Sequence, residues 1–123
     1  MPIRLTINQP ERLVLGIARG DVTIGDLAAF TREVAQAGLL HYRKLIDFTD
    51  GVPRLSEREL EALATVLRDL ETARPRGPLA IVASTNHGSF GQFFAEIDSE
   101  ARPVRVFKSL REARPWLNSF TIP

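Results

Sequence analysis

A chain of 123 residues with 44% hydrophobic residues is expected to form one domain over residues 1–123, and it can bury a core without metal or disulfide support. It contains no cysteine, which excludes thiolate catalysis, iron–sulfur ligation, cysteine zinc sites and disulfides, and which suits a reducing cytoplasm. Sixteen basic and fifteen acidic residues interleave to a net charge of +1; with no apolar run of membrane-spanning length and no concentrated basic face, neither a transmembrane segment nor a nucleic-acid partner is expected.

Ile3 to Ile7 and Arg12 to Arg19 read as two extended segments joined by the turn Asn8-Gln9-Pro10-Glu11, a β-hairpin. Ile24, Leu27, Phe30 and Val34 then recur at helical spacing, with Gly38 placed to stop the helix. Leu45-Ile46-Asp47-Phe48 supplies a short buried strand. Leu60, Leu63, Ala64, Leu67 and Leu70 mark a second amphipathic helix to about Thr72, closed by Pro75-Arg76-Gly77-Pro78. Leu79 to Ala83 is continuously apolar, as a central strand covered on both faces must be. Phe90, Phe93, Phe94 and Ile97 make a third helical stripe, Val104 to Phe107 a last strand, and Leu110, Ala113 and Leu117 a final helix that Pro115 should shorten or kink. The order ββαβαβαβα predicts an α/β fold with a mixed, mostly parallel sheet and flanking helices.

Each predicted helix opens on a hydroxyl residue three positions before an acid or amide: Thr23 and Asp26, Ser56 and Glu59, Ser89 and Gln92, Ser109 and Glu112. This is the spacing of a capping box, in which the hydroxyl accepts from a free N–H of the first turn and the partner reaches back. Capping alone is thus a sufficient reason for these four hydroxyl residues.

The element order, together with Arg12-Leu13-Val14 before Gly20 and Thr23, Tyr42 to Phe48, Leu79 to Ala83, Phe90-Gly91, and Val104 to Phe107 before Ala113 and Trp116-Leu117, resembles the small bacterial STAS and SEC14-like (SpoIIAA-like) domains. The resemblance spans nearly the whole chain. It implies that fold and a non-enzymatic role in regulation or binding. In the phosphorylated antagonists of this group an Asp-Ser-Ser-Gly-like motif follows the strand; here Leu55-Ser56-Glu57-Arg58 stands near that place and does not match it. The phosphorylation switch is therefore not carried over, since Glu57 would imitate a phosphoserine only crudely.

Candidate sites lie where open α/β sheets bind ligands, outside the carboxyl ends of the strands. Asp47, Thr49 and Asp50 form one group. Two carboxylates can hold a cation or share a proton, or Asp47 can accept N–H groups of the following loop while Asp50-Gly51 makes a turn. No metal or cofactor is assigned, because a cation needs more oxygen ligands than Thr49 adds. Asn86, His87 and Ser89, within Ser84 to Ser89, form a second group that can offer N–H groups and hydroxyls to an anion or to a partner. Ser56, at the start of the second helix, completes the surface for an unknown protein partner or small ligand. A hydrolase reading would use Ser84 or Ser89 with His87 and Asp47, but there is no G-x-S-x-G elbow.

SEC14-like relatives enclose apolar ligands, so a lipid or small apolar molecule in an internal cavity is the other reading, with Phe90, Phe93, Phe94, Phe107 and Trp116 as lining or simply as core. An exposed hairpin edge makes a homodimer a further expectation.

Overall fold

In the computed structural model, which describes residues 2–68, 76–83, 92 and 102–122, strand β1 (Ile3–Asn8) turns back into β2 (Leu13–Val22). The turn is closed by its own side chain, for Asn8 Oδ1 accepts from the Glu11 N–H at 3.2 Å. β1 and β2 pair antiparallel from Ile3↔Ala18 to Asn8↔Leu13.

Helix α1 (Ile24–Gln36) starts where the sequence places it. Thr23 Oγ1 accepts from the Asp26 N–H, and Asp26 Oδ2 accepts from the Thr23 N–H at 2.8 Å, a complete capping box. Its end is equally specified. Gly38 takes φ +74°, and the N–H groups of Gly38 and Leu39 donate to Ala35 O and Val34 O, the two bonds of a Schellman stop. Leu27, Phe30 and Val34 are buried along one stripe, each contributing roughly 1.5–3 kcal/mol by leaving water.

Strand β3 (Arg43–Pro53) follows, then α2 (Glu57–Arg68), β4 (Leu79–Val82), β5 (Val104–Phe107) and α3 (Leu110–Asn118). The sheet order is β1-β2-β3-β4-β5, with every pair after the hairpin parallel. This is the predicted mixed, mostly parallel sheet. All four residues of β4 are buried, as a strand covered on both faces requires. α2 has its own reciprocal box between Ser56 and Glu59, and in α3 the Glu112 N–H donates to Ser109 Oγ. The fourth expected cap, Ser89 with Gln92, and the third helical stripe lie outside the described residues, except that Gln92 itself is helical and exposed. α3 runs through Pro115 and stops after nine residues, with Leu117 buried against the sheet and Trp116 half-buried.

The helices cover opposite faces. α1 and α2 close over Val14, Ala18, Ile46, Phe48, Leu79 and Ile81. α3 packs Ala113 and Leu117 on Leu13, Leu45, Ala80 and Val82. Arg43 fastens this second layer: its Nε donates to Leu117 O at 3.0 Å, Nη2 to Phe120 O at 2.6 Å and Nη1 to Glu11 O. One guanidinium thus joins the end of α3 to the hairpin turn.

One element departs from the sequence reading. β3 was expected to be short, ending near Phe48, with Asp50-Gly51 as a turn; it continues to Pro53. The second half of β2 explains this, because Arg19, Gly20, Asp21 and Val22 pair with Asp50, Gly51, Val52 and Pro53. Long-range pairing overrides the turn chemistry of the Asp-Gly pair.

Candidate functional site

The acids lie within β3 and are held by the strand itself. Between Ile17↔Asp47 and Arg19↔Asp50, β2 has one residue and β3 has two, so Phe48 and Thr49 form a bulge. Asp47 Oδ1 accepts from the Thr49 N–H at 2.9 Å and from the Thr49 hydroxyl. The carboxylate thereby satisfies a donor beside the extra residue. Asp47 does accept a backbone N–H, as one of the two sequence readings had it, but from a bulged strand rather than a loop. Thr49 and Asp50 are exposed. Nearby, Asp21 and Arg54 form an ion pair at 3.2 Å with both side chains about two-thirds exposed, which leaves it little net stabilisation. Among the described residues no three His, Asp or Glu side chains gather as a cation would require.

Ser56 stands three residues beyond the end of β3, as the cap of α2, its Oγ accepting from the Glu59 N–H at 3.2 Å. Asn86, His87 and Ser89, with the rest of Ser84 to Ser89, lie outside the described residues. The structure therefore relates Asp47, Thr49 and Asp50 to one another through the bulge, and puts Ser56 beyond the end of the same strand.

A different site lies under α1 and α2. Phe30 and Val34 of α1, Leu60 and Leu63 of α2, and Ile46 and Ile81 of the sheet surround a cavity of about 40 Å³, partly open to solvent. That is roughly three times the ~10–15 Å³ that one water needs. Its described lining is almost wholly apolar, with three exceptions: Thr31, Lys44 and Arg102. Thr31 gives its hydroxyl to Leu27 O at 3.0 Å, a bond within its own helix. Phe107 and Trp116, which the sequence offers as possible lining, are instead on the opposite face with α3, their rings 5.6 Å apart. Phe90, Phe93 and Phe94 lie outside the described residues.

Lys44 and Arg102 are the only buried polar or charged residues among those described, at 4% and 7% exposure. Lys44 Nζ donates to Leu40 O at 2.6 Å and Tyr42 O at 2.7 Å, two carbonyls of the segment entering β3. The backbone around it is tightly crossed: the Gly77 N–H also donates to Leu40 O, the Lys44 N–H to Pro78 O, and the Leu79 N–H to Pro103 O, each at 2.9 Å. Arg102 immediately precedes Pro103, so both cations stand at the amino ends of parallel strands that flank β4.

Neither cation was among the candidate residues read from the sequence. A signal existed for Lys44, which alternates with Ile46 and Phe48 and therefore faces inward on a strand. Arg102 falls outside any periodic segment and offered none.

Comparison with known proteins agrees with this architecture. The chain is similar to an uncharacterized protein of the DUF3478 family with a SpoIIAA-like fold from Shewanella loihica PV-4, whose crystal structure is known at 2.25 Å. The TM-score is 0.60 at 20% sequence identity, over 94% of this chain and 91% of that one. No protein-family model matches the chain, nor does any curated protein. The fold is SpoIIAA-like, as the resemblance in the sequence implied.

Proposed function

We propose that the chain is a non-enzymatic binding protein of the STAS/SEC14-like type, and that it takes a small apolar ligand, or the apolar end of a longer one, beneath α1 and α2. The cavity carries this reading. Cores pack to near-crystalline density, so a space of about 40 Å³ bounded by both helices and the sheet is an unfilled volume in an otherwise close-packed layer. The reading through a surface at the carboxyl end of β3 has less behind it. Asp47 and Thr49 are occupied with each other at the bulge, and Asp50 is exposed.

The test is a titration with 1-hexanol followed by methyl NMR. Saturable shifts are expected at Val34 and Leu63, and Leu63→Phe, by filling the space, should abolish them. Shifts that never saturate, or that centre on another part of the protein, would refute ligand binding in this layer.

A further inference from the structure

The inner side of β1 is taken up by β2, and its outer side is available. The Arg19 N–H donates to Pro2 O at 2.8 Å just before the pairs Ile3↔Ala18 to Asn8↔Leu13 begin. Antiparallel ladders alternate, so from that bond onward Arg4, Thr6 and Asn8 exchange bonds with β2. The N–H and C=O groups of Ile3, Leu5 and Ile7 point the other way. β1 ends the sheet order, and among the described residues no strand lies beyond it. It also lacks what usually blunts such an edge, for its six residues include no proline and a single charge, and its ladder with β2 has no bulge.

We infer that β1 pairs antiparallel with β1 of a second copy of this chain, with Leu5 opposite Leu5 on the twofold axis. Three observations point to this occupant and this register. First, Ile3 then faces Ile7 of the partner subunit, and Ile7 faces Ile3 of the partner subunit, so every outward N–H and C=O of the strand meets its complement. A slide of two residues in either direction leaves one of the three opposite a residue outside the strand. Second, opposed residues share a face of the sheet, so Leu5 and Ile7 of both copies form one apolar row. Leu5 is half-buried and Ile7 exposed in the single chain, while Ile3 and Leu5 already continue that row into the core under α1. Third, Arg4, the only charged side chain of β1, falls opposite Thr6 and not opposite itself, so no like charges meet. The same strand serves both copies, and the pairing therefore closes at two and leaves neither β1 edge free. An interface of one strand edge is small, which makes the dimer dependent on concentration.

The experiment is sedimentation equilibrium on the full chain from about 10 µM to about 1 mM, the range in which so small an interface associates. The average mass is expected to climb toward twice that of one chain, and the mass of one chain throughout would overturn the inference. Amide hydrogen exchange by NMR then locates the contact without any variant. The Ile3, Leu5 and Ile7 amides should slow by about threefold or more between the two concentrations, while those of Arg4, Thr6 and Asn8, already bonded to β2, should not change. A dimer whose Ile3, Leu5 and Ile7 amides keep their monomer rates is joined elsewhere, and the inference fails. The register is read in a mixture of labelled and unlabelled chains, where an intermolecular cross-peak between the α protons of Arg4 and Thr6 is expected; its absence in the dimer would overturn the register. Ile7→Pro removes an outward N–H and spares the ladder with β2, so a variant folded by circular dichroism should stay at the mass of one chain. If it dimerises as wild type does, the edge is not the contact.

Discussion

The start and the middle of β3 carry opposite charges in opposite settings. At its start, Lys44 is buried, bonded to two carbonyls and set in a region where segments 40–44, 77–79 and 103 exchange backbone bonds. In its middle, Asp47 bonds to a residue two positions on, and Thr49 and Asp50 face solvent. A local bond between exposed groups adds little to stability and can be replaced by water. A buried donor shared among distant segments cannot, because its loss strands acceptors in the interior. Charged side chains on one strand therefore say little by type; what separates these is whether the neighbouring chain closes over them.

Four substitutions can break or sharpen that contrast. The largest effect is expected from Gly77→Ala, since an added Cβ would fall inside the contact shells of the Tyr42 and His41 carbonyl oxygens. Backbone atoms cannot swing aside, and a loss above about 3 kcal/mol is expected by urea denaturation. A variant as stable as wild type would show that this end of the sheet is loosely built. Lys44→Met comes next, at about 1–3 kcal/mol, because Tyr42 O loses its donor while Leu40 O keeps the Gly77 N–H. If chemical denaturation shows the methionine variant gaining stability, the bonds of the lysine do not hold this end of the strand.

Asp47→Ala should cost about 1 kcal/mol, the ordinary net worth of the bond it gives the bulge. Hydrogen exchange at the Thr49 amide should quicken in that variant, and unchanged exchange would mean the carboxylate does not hold the bulge. Asp50→Ala is expected to change stability by less than about 0.5 kcal/mol, as an exposed side chain away from special geometry does. A thermal melt showing a loss comparable to that of Lys44→Met would erase the distinction between the two settings.

Much of the fold was legible because it is written in periodicity and caps. The stripe Leu27, Phe30, Val34 and the stop at Gly38 set α1 within a residue, and the continuous run Leu79 to Val82 identified the central strand. The length of β3 was not legible. Asp50-Gly51 has turn chemistry, and only pairing with Arg19 to Val22, some thirty positions earlier, makes it strand. The cavity was not legible for a similar reason. Acids beside a glycine look like a site in one dimension, whereas Lys44 and Arg102 are far apart along the chain and become neighbours of one cavity only when β3, β4 and β5 align.

The bulge at Phe48 and Thr49 also sets the phase of everything after it. On the face beneath α1 and α2 the inward positions run Lys44, Ile46, Phe48 and then Gly51, where a Cβ would come within 2.8 Å of the Ala18 Cβ and 3.2 Å of the Phe48 ring. The first half of the strand counts in twos, and the second half resumes one residue late. If the same residues ran on in twos without the bulge, Asp50 would take the inward place that Gly51 now fills, and a carboxylate would face Ala18 and Phe48. The bulge is thus a change of frame: the extra residue is absorbed out of the ladder, so that the glycine rather than the acid keeps the inward place.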